Sequence, residues 1–207
     1  MPRVDILEKD QIPQDKQQFY DEIAKYRGHV ARPFKALLNS PEIATKIASL
    51  GEELRYVSST INSEIREIIT LTISKIQNCE YVWTHHVASA REVGIREEVI
   101  ETIQNNIPPR KLLPKEGVFV QFTKELLENT KISNATYSAV EHLLGQKAVI
   151  DLIAIIGYYN MLCLSINALE VDLEDGVTPL PVSYTHLRAH ETLRYRVFRV
   201  RHEKKKG

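Results

Sequence analysis

A carboxylate, a thiol and an imidazole fall within one short stretch of this chain: Glu67, Cys79 and His86, inside Ile61–Gly94. A thiolate is a nucleophile and a redox centre, an imidazole moves protons near neutral pH, and a carboxylate can orient that imidazole. The same stretch holds one of the two cysteines, an adjacent pair of histidines and the only tryptophan.

These residues need two helices to position them. Ser63 to Ile76 repeats Ile65, Ile68, Ile69, Thr72, Ile73 and Ile76 at helical period, with Glu67 beside that buried stripe. Gln77–Asn78 breaks the pattern, Asn78 suits an N-cap, and Cys79 to Glu92 forms the next helix, closed at Gly94. Positions seven apart on a helix differ by about 20° and stand about 10 Å apart. Cys79 and His86 therefore share a face without touching, with Val82 and Trp83 between them. If the break makes an antiparallel hairpin, Glu67 faces His86 rather than Cys79. His85, about 100° round from His86, is expected to face another surface, such as a subunit contact.

Cys79 lies in the first turn of its helix, where N–H groups and the dipole favour a thiolate, while Glu80 opposes it. Plainer readings exist for each residue. A single cysteine on a helix face is commonly a small buried hydrophobe, and a histidine beside tryptophan commonly a half-buried packing residue. Glu67 could pair with Arg66 or Arg91. Metal binding by His85 and His86 is disfavoured because helical neighbours point apart and no HExxH spacing exists. Glycine-rich phosphate loops, GxSxG elbows and CxxC pairs are missing.

Around this hairpin the chain reads as all-helical. Asp15–Tyr26, Arg32–Leu38, a helix started by Ser40–Pro41–Glu42, Arg96–Asn105, Lys115–Thr130 and Asn134–Leu144 are the further helices. Gln146–Leu169 is the most apolar part and nears the length of a membrane span. Asp151, Asn160, Ser165 and Asn167 within it favour a buried central helix instead, and no membrane partner is expected. Its string QKAVIDLIAIIGYYNMLCLSI faintly echoes SEIREIITLTISKIQNCEYVW, which leaves room for an internal twofold repeat.

A length of 207 residues suits one domain of ordinary size, and two cysteines make no disulfide framework, so a reducing, cytoplasmic compartment is expected. The N-terminus lacks the apolar core of a cleavable signal. The net charge of zero averages two parts: residues 181–207 carry eight basic against two acidic residues, the remainder 19 against 25. A basic tail would ordinarily point to nucleic acid. The string PVSYTHLRAHETLR instead looks like translated adapter sequence after a natural end near Thr178–Pro181, so no nucleic-acid partner is assigned. The expected division is a lead-in and helix over 1–27, a domain over 28–180 and a non-native tail over 181–207.

The string REIITLTISKIQNCEYVWTHHVASAREVGI resembles the carboxymuconolactone decarboxylase-like family, which includes AhpD-type alkylhydroperoxidases. That family's pattern is a glutamate followed about a dozen residues later by CxxCxxxH. Glu67 matches the proton-relay glutamate, Cys79 the first cysteine and His86 the histidine, over a resemblance running from about Gly28 to residue 176. The resemblance implies an all-α, AhpD-like fold, no cofactor, a small-molecule substrate and a homo-oligomer, commonly a trimer or hexamer.

One departure bears on mechanism. The second cysteine of CxxC falls at Val82, which cannot resolve a disulfide, and Cys163 is an unpromising substitute because it sits in a separate apolar helix. The surviving acid–base pair favours decarboxylation of a small carboxylated, lactone-type substrate by Glu67 and His86. A thiol-dependent peroxidase using Cys79 alone is the alternative. A catalytically inert oligomeric binding protein is the third reading.

Overall fold

The structure, a computed structural model, describes residues 1–57 and 60–182. Among the described residues there is no strand. The helices are α1 (Gln17–Arg27), α2 (Arg32–Leu37), α3 (Pro41–Glu52), α4 (Ser63–Ile76), α5 (Glu80–Glu92), α6 (Glu97–Gln104), α7 (Pro114–Asn129), α8 (Asn134–Leu144) and α9 (Gln146–Leu169). A single π-type turn over Glu53–Val57 extends α3. The all-α expectation holds, with helix ends close to those read from the sequence.

The centre of the fold is α4. It packs against α5, α6, α7 and α9, and every residue from Glu67 to Ser74 is buried. A helix buried all round must satisfy its hydroxyls internally. Thr70 donates to the Arg66 carbonyl, Thr72 to Ile68 and Ser74 to Leu71. Asn62 starts the helix by accepting from the Ile65 N–H at 2.8 Å.

The sequence points to Gln146–Leu169 as the buried central helix, and the structure corrects this by giving that place to α4. Although α9 is long and apolar enough to cross a membrane, it lays one face on α4 and α8 and exposes Ile150, Ile153 and Leu164 on the other. The internal repeat is not confirmed. Its first copy folds as two helices broken at Gln77–Cys79, whereas its second lies wholly within α9.

The break between α4 and α5 is built differently from the expectation. Asn78 adopts the left-handed conformation (φ 49°), and the Cys79 N–H returns to the Ser74 carbonyl at 2.8 Å. This is the closing geometry of α4, with asparagine in the place glycine commonly takes. The N-cap of α5 is therefore Cys79, whose carbonyl receives the Trp83 N–H at 3.0 Å. Asparagine serves both roles well, so composition could not separate them.

Where the described residues end, Lys75 Nζ and Gln104 Nε2 donate to the carbonyls of Val182 and Pro181. The rest of the tail assigned to 181–207 lies outside the described residues.

Candidate functional site

The antiparallel α4–α5 pairing brings Glu67 and His86 together. Glu67 Oε2 lies 2.6 Å from His86 Nδ1. Glu67 is only 2% exposed, and Arg66 Nε stands 3.9 Å from its other oxygen. Burial alone would push the Glu67 carboxyl up. His86, Arg55 and Arg66 together outweigh it and hold the group below its ordinary value. Arg91, the other partner considered for Glu67, pairs instead with Glu97.

His86 also lines a cavity of about 450 Å³. The cavity's walls come from the N-terminal lead-in, α2, the Glu53–Val57 turn, α5 and α9. With Nδ1 engaged by Glu67, Nε2 is the imidazole nitrogen that a molecule in this cavity can meet.

Two groups at the cavity, Arg55 and Tyr159, are not singled out by the sequence. Arg55 lines it from the π-type turn and donates through Nη1 to the Tyr159 hydroxyl. Its Nε is buried without a hydrogen-bond partner among the described residues. Burial works against the Arg55 cation, but Tyr159, Tyr56 and Glu67 more than compensate and raise its pKa. Arg66 steadies that turn by donating to the Arg55 carbonyl at 3.2 Å. Tyr159 stands edge-on to the His86 ring at 5.4 Å between centroids, and burial pushes its phenol up to about 12.

His85 corrects an expectation. It lines the same cavity as His86, with Nε2 2.9 Å from Glu174. The Tyr81 hydroxyl donates to that same carboxylate at 2.6 Å. Glu174 belongs to the segment after α9, so the cavity is wide enough to reach two neighbouring faces of α5. Burial would raise the Glu174 carboxyl, but Tyr81, its own N–H and His85 hold it down.

Cys79 stands apart from this arrangement. It is fully buried and does not line the cavity; Val82, one turn further on, does. The partner of Cys79 is Cys163, whose thiol lies against it. The separateness expected of Cys163 is thus corrected, because α9 crosses the α4–α5 break. Contact with Cys163 is the main cause that lowers the Cys79 pKa. Burial opposes it, and the Val82 and Tyr81 N–H groups assist it. The Cys163 thiol is pushed far up by the same contact. The three residues read from the sequence therefore divide into Glu67 with His86 at the cavity and Cys79 behind its wall. Among the described residues, no three His, Cys, Asp or Glu side chains are grouped to hold a metal ion.

Residues 41–125 match the model of the carboxymuconolactone decarboxylase family. No curated protein matches the chain. Among solved structures, it is similar to an uncharacterized peroxidase-related protein from Silicibacter sp. TM1040, at 18% identity and a TM-score of 0.68, covering 85% of this chain and 93% of that one. A second similar structure is an alkylhydroperoxidase AhpD core, an uncharacterized peroxidase-related protein from Ralstonia eutropha JMP134. It is 19% identical with a TM-score of 0.68, over 86% of this chain and 98% of that one. The debrominase Bmp8 matches at 14% identity and a TM-score of 0.63, over 82% and 90% of the two chains. At these identities the likenesses establish the AhpD-like all-α fold.

Proposed function

We propose that this chain, whose residues 41–125 match the model of the carboxymuconolactone decarboxylase family, is a cofactor-free acid–base enzyme that decarboxylates a small carboxylated, lactone-type substrate. The observation that carries this reading is the 2.6 Å contact between Glu67 and His86 at the wall of a cavity of about 450 Å³. An anionic Glu67 fixes the Nδ1–H tautomer of His86 and supports positive charge on the ring.

In the reaction, the bond from the substrate carbon to its carboxylate breaks and CO2 leaves. The electron pair stays on that carbon, conjugated with the lactone carbonyl. His86 Nε2 delivers a proton to the carbon and regains one from water. Arg55, a cation with a buried unpartnered Nε, supplies a donor for a carboxylate or lactone oxygen in the same cavity.

Incubation of the full chain with γ-carboxymuconolactone should release CO2, and His86→Asn should abolish the release. No CO2 above the uncatalysed rate from the unaltered chain overturns the reading. A peroxidase with Cys79 attacking a substrate held in the cavity finds less support, since Cys79 is fully buried off that cavity.

The proposal includes a homo-oligomer, a trimer or hexamer. Ile150, Ile153 and Leu164 on α9 are 63%, 41% and 51% exposed, an apolar face that a second copy would cover. Sedimentation equilibrium of the full chain tests it, and a monomer at all concentrations contradicts it.

A further inference from the structure

We propose that Cys79 and Cys163 are a redox pair, oxidised by a small hydroperoxide to an intramolecular disulfide that ties the start of α5 to the middle of α9. This does not rest on the acid–base reading above. Four observations carry it.

First, the two cysteines are the only ones in the chain, and both are free and completely buried. Second, hydrogen bonds independent of either thiol fix α9 across the α4–α5 break. Gln77 Nε2 donates to Asn160 Oδ1 at 2.7 Å, and Asn167 Nδ2 donates to the Gln77 carbonyl at 2.8 Å. Cys163 lies three residues after Asn160 and four before Asn167, so all three share one side of α9. The two clamps bracket Cys163, which is held between them opposite Cys79. Third, the thiols meet there, and Cys79, the N-cap of α5, also meets the Val82 and Tyr81 N–H groups, which favour its anion. One sulfur is thereby the attacking nucleophile and the other a thiol beside it.

Fourth, the pair stands one layer behind the cavity. Cys79 touches the Val82 N–H, while the Val82 side chain lines the cavity; Leu162 and Ile166, which flank Cys163 on α9, line it too. Val82 and Leu162, 5% and 8% exposed, are the side chains that a molecule the size of hydrogen peroxide has to displace to reach the sulfur. Val82 occupies the position of the missing motif cysteine, and Cys163 fills its chemical place from another helix.

The chemistry balances in two steps. The Cys79 thiolate attacks one oxygen of the hydroperoxide and the O–O bond breaks. Cys79 becomes a sulfenic acid, and the other oxygen leaves as an alcohol, or as water from hydrogen peroxide, after taking up a proton. The Cys163 sulfur then attacks Cys79 Sγ, expels water and forms the S–S bond. Two electrons pass from the two thiols to the peroxide, and an external thiol returns them.

The test uses the full chain in its native state with excess hydrogen peroxide. Free thiols counted in denaturant should fall from two per chain to none. A non-reducing digest should yield one species joining the Cys79 and Cys163 peptides, two hydrogens lighter than their sum, and dithiothreitol should reverse both results. Cys163→Ala should stop at a dimedone-reactive sulfenic acid on Cys79, whereas Cys79→Ala should leave Cys163 unreacted. Two thiols still free, disulfides joining separate chains, or a sulfenic acid accumulating in the unaltered chain as in Cys163→Ala would each overturn the proposal. The first digest requires no substituted protein, so a variant that fails to fold leaves the test intact.

Discussion

Glu67 Oε2 and His86 Nδ1 meet at 2.6 Å although they belong to different helices, because the Asn78 turn folds α5 back along α4. The pair couples a carboxylate only 2% exposed to an imidazole on a cavity wall. Glu67→Gln keeps the shape but removes the charge that orients His86. If the decarboxylase reading holds, kcat should fall by about 10²-fold or more, with KM changing less, since a proton-transfer group contributes on the order of 10²–10⁴-fold. Steady-state CO2 release measures the split.

The same substitution has a pH signature independent of any substrate. The Glu67 pKa is lower in the folded chain than its reference value of 4.5. The unfolded chain therefore binds the proton more readily, and the stability due to Glu67 is fully present above that reference value. It is lost progressively as the pH falls through the folded pKa. Urea unfolding at about pH 7 should show Glu67→Gln less stable by about 1–3 kcal/mol, the usual cost of disturbing a buried charged hydrogen bond. As the pH falls below 4.5 and on through the lower folded pKa, the two proteins should converge. A gap that persists undiminished in acid contradicts the role assigned to the Glu67 charge.

The Glu67–His86 approach was legible because both residues sit on strongly periodic helices joined by a short break, so helical arithmetic alone sets their heights. Arg55 was not legible: its place depends on a π-type turn, which has no apolar period to announce it. Nor was the meeting of His85 with Glu174, which an irregular segment after α9 carries back over α5. Cys163 reads from sequence as filler in an apolar helix. Only the crossing of α9 over the α4–α5 break makes it the neighbour of Cys79. Long-range neighbours of this kind follow from tertiary packing, on which local pattern is silent.

Tyr159 offers a spectroscopic check on the cavity wall. Its phenol is pushed up to about 12 by burial, against the pull of the Arg55 cation. In an ultraviolet titration, Tyr159→Phe should remove a phenolate component near that value and leave the earlier components in place. The change also deprives Arg55 of the hydroxyl that accepts its Nη1 hydrogen bond. A guanidinium thus released toward the cavity should change KM for a carboxylated substrate more than kcat. An unchanged alkaline titration contradicts the burial assigned to Tyr159.

Val82→Cys would restore the CxxC spacing, and its outcome follows from where Val82 stands. The side chain lines the cavity, while Cys79 behind it touches the Val82 N–H. Cysteine is close to valine in size, so the cost in stability should stay below about 1.5 kcal/mol. The new thiol would lie one turn from Cys79 on the same side of α5, nearer the cavity than Cys163 and beside His86. Turnover of a small hydroperoxide with an external dithiol should therefore rise at least about tenfold over the unaltered chain, the equivalent of about 1.4 kcal/mol in the barrier. Disulfide mapping should move the oxidised link from Cys79–Cys163 to position 82. A link that stays with Cys163 would mean that packing across α9, rather than closeness to the cavity, decides which thiol resolves the oxidised Cys79.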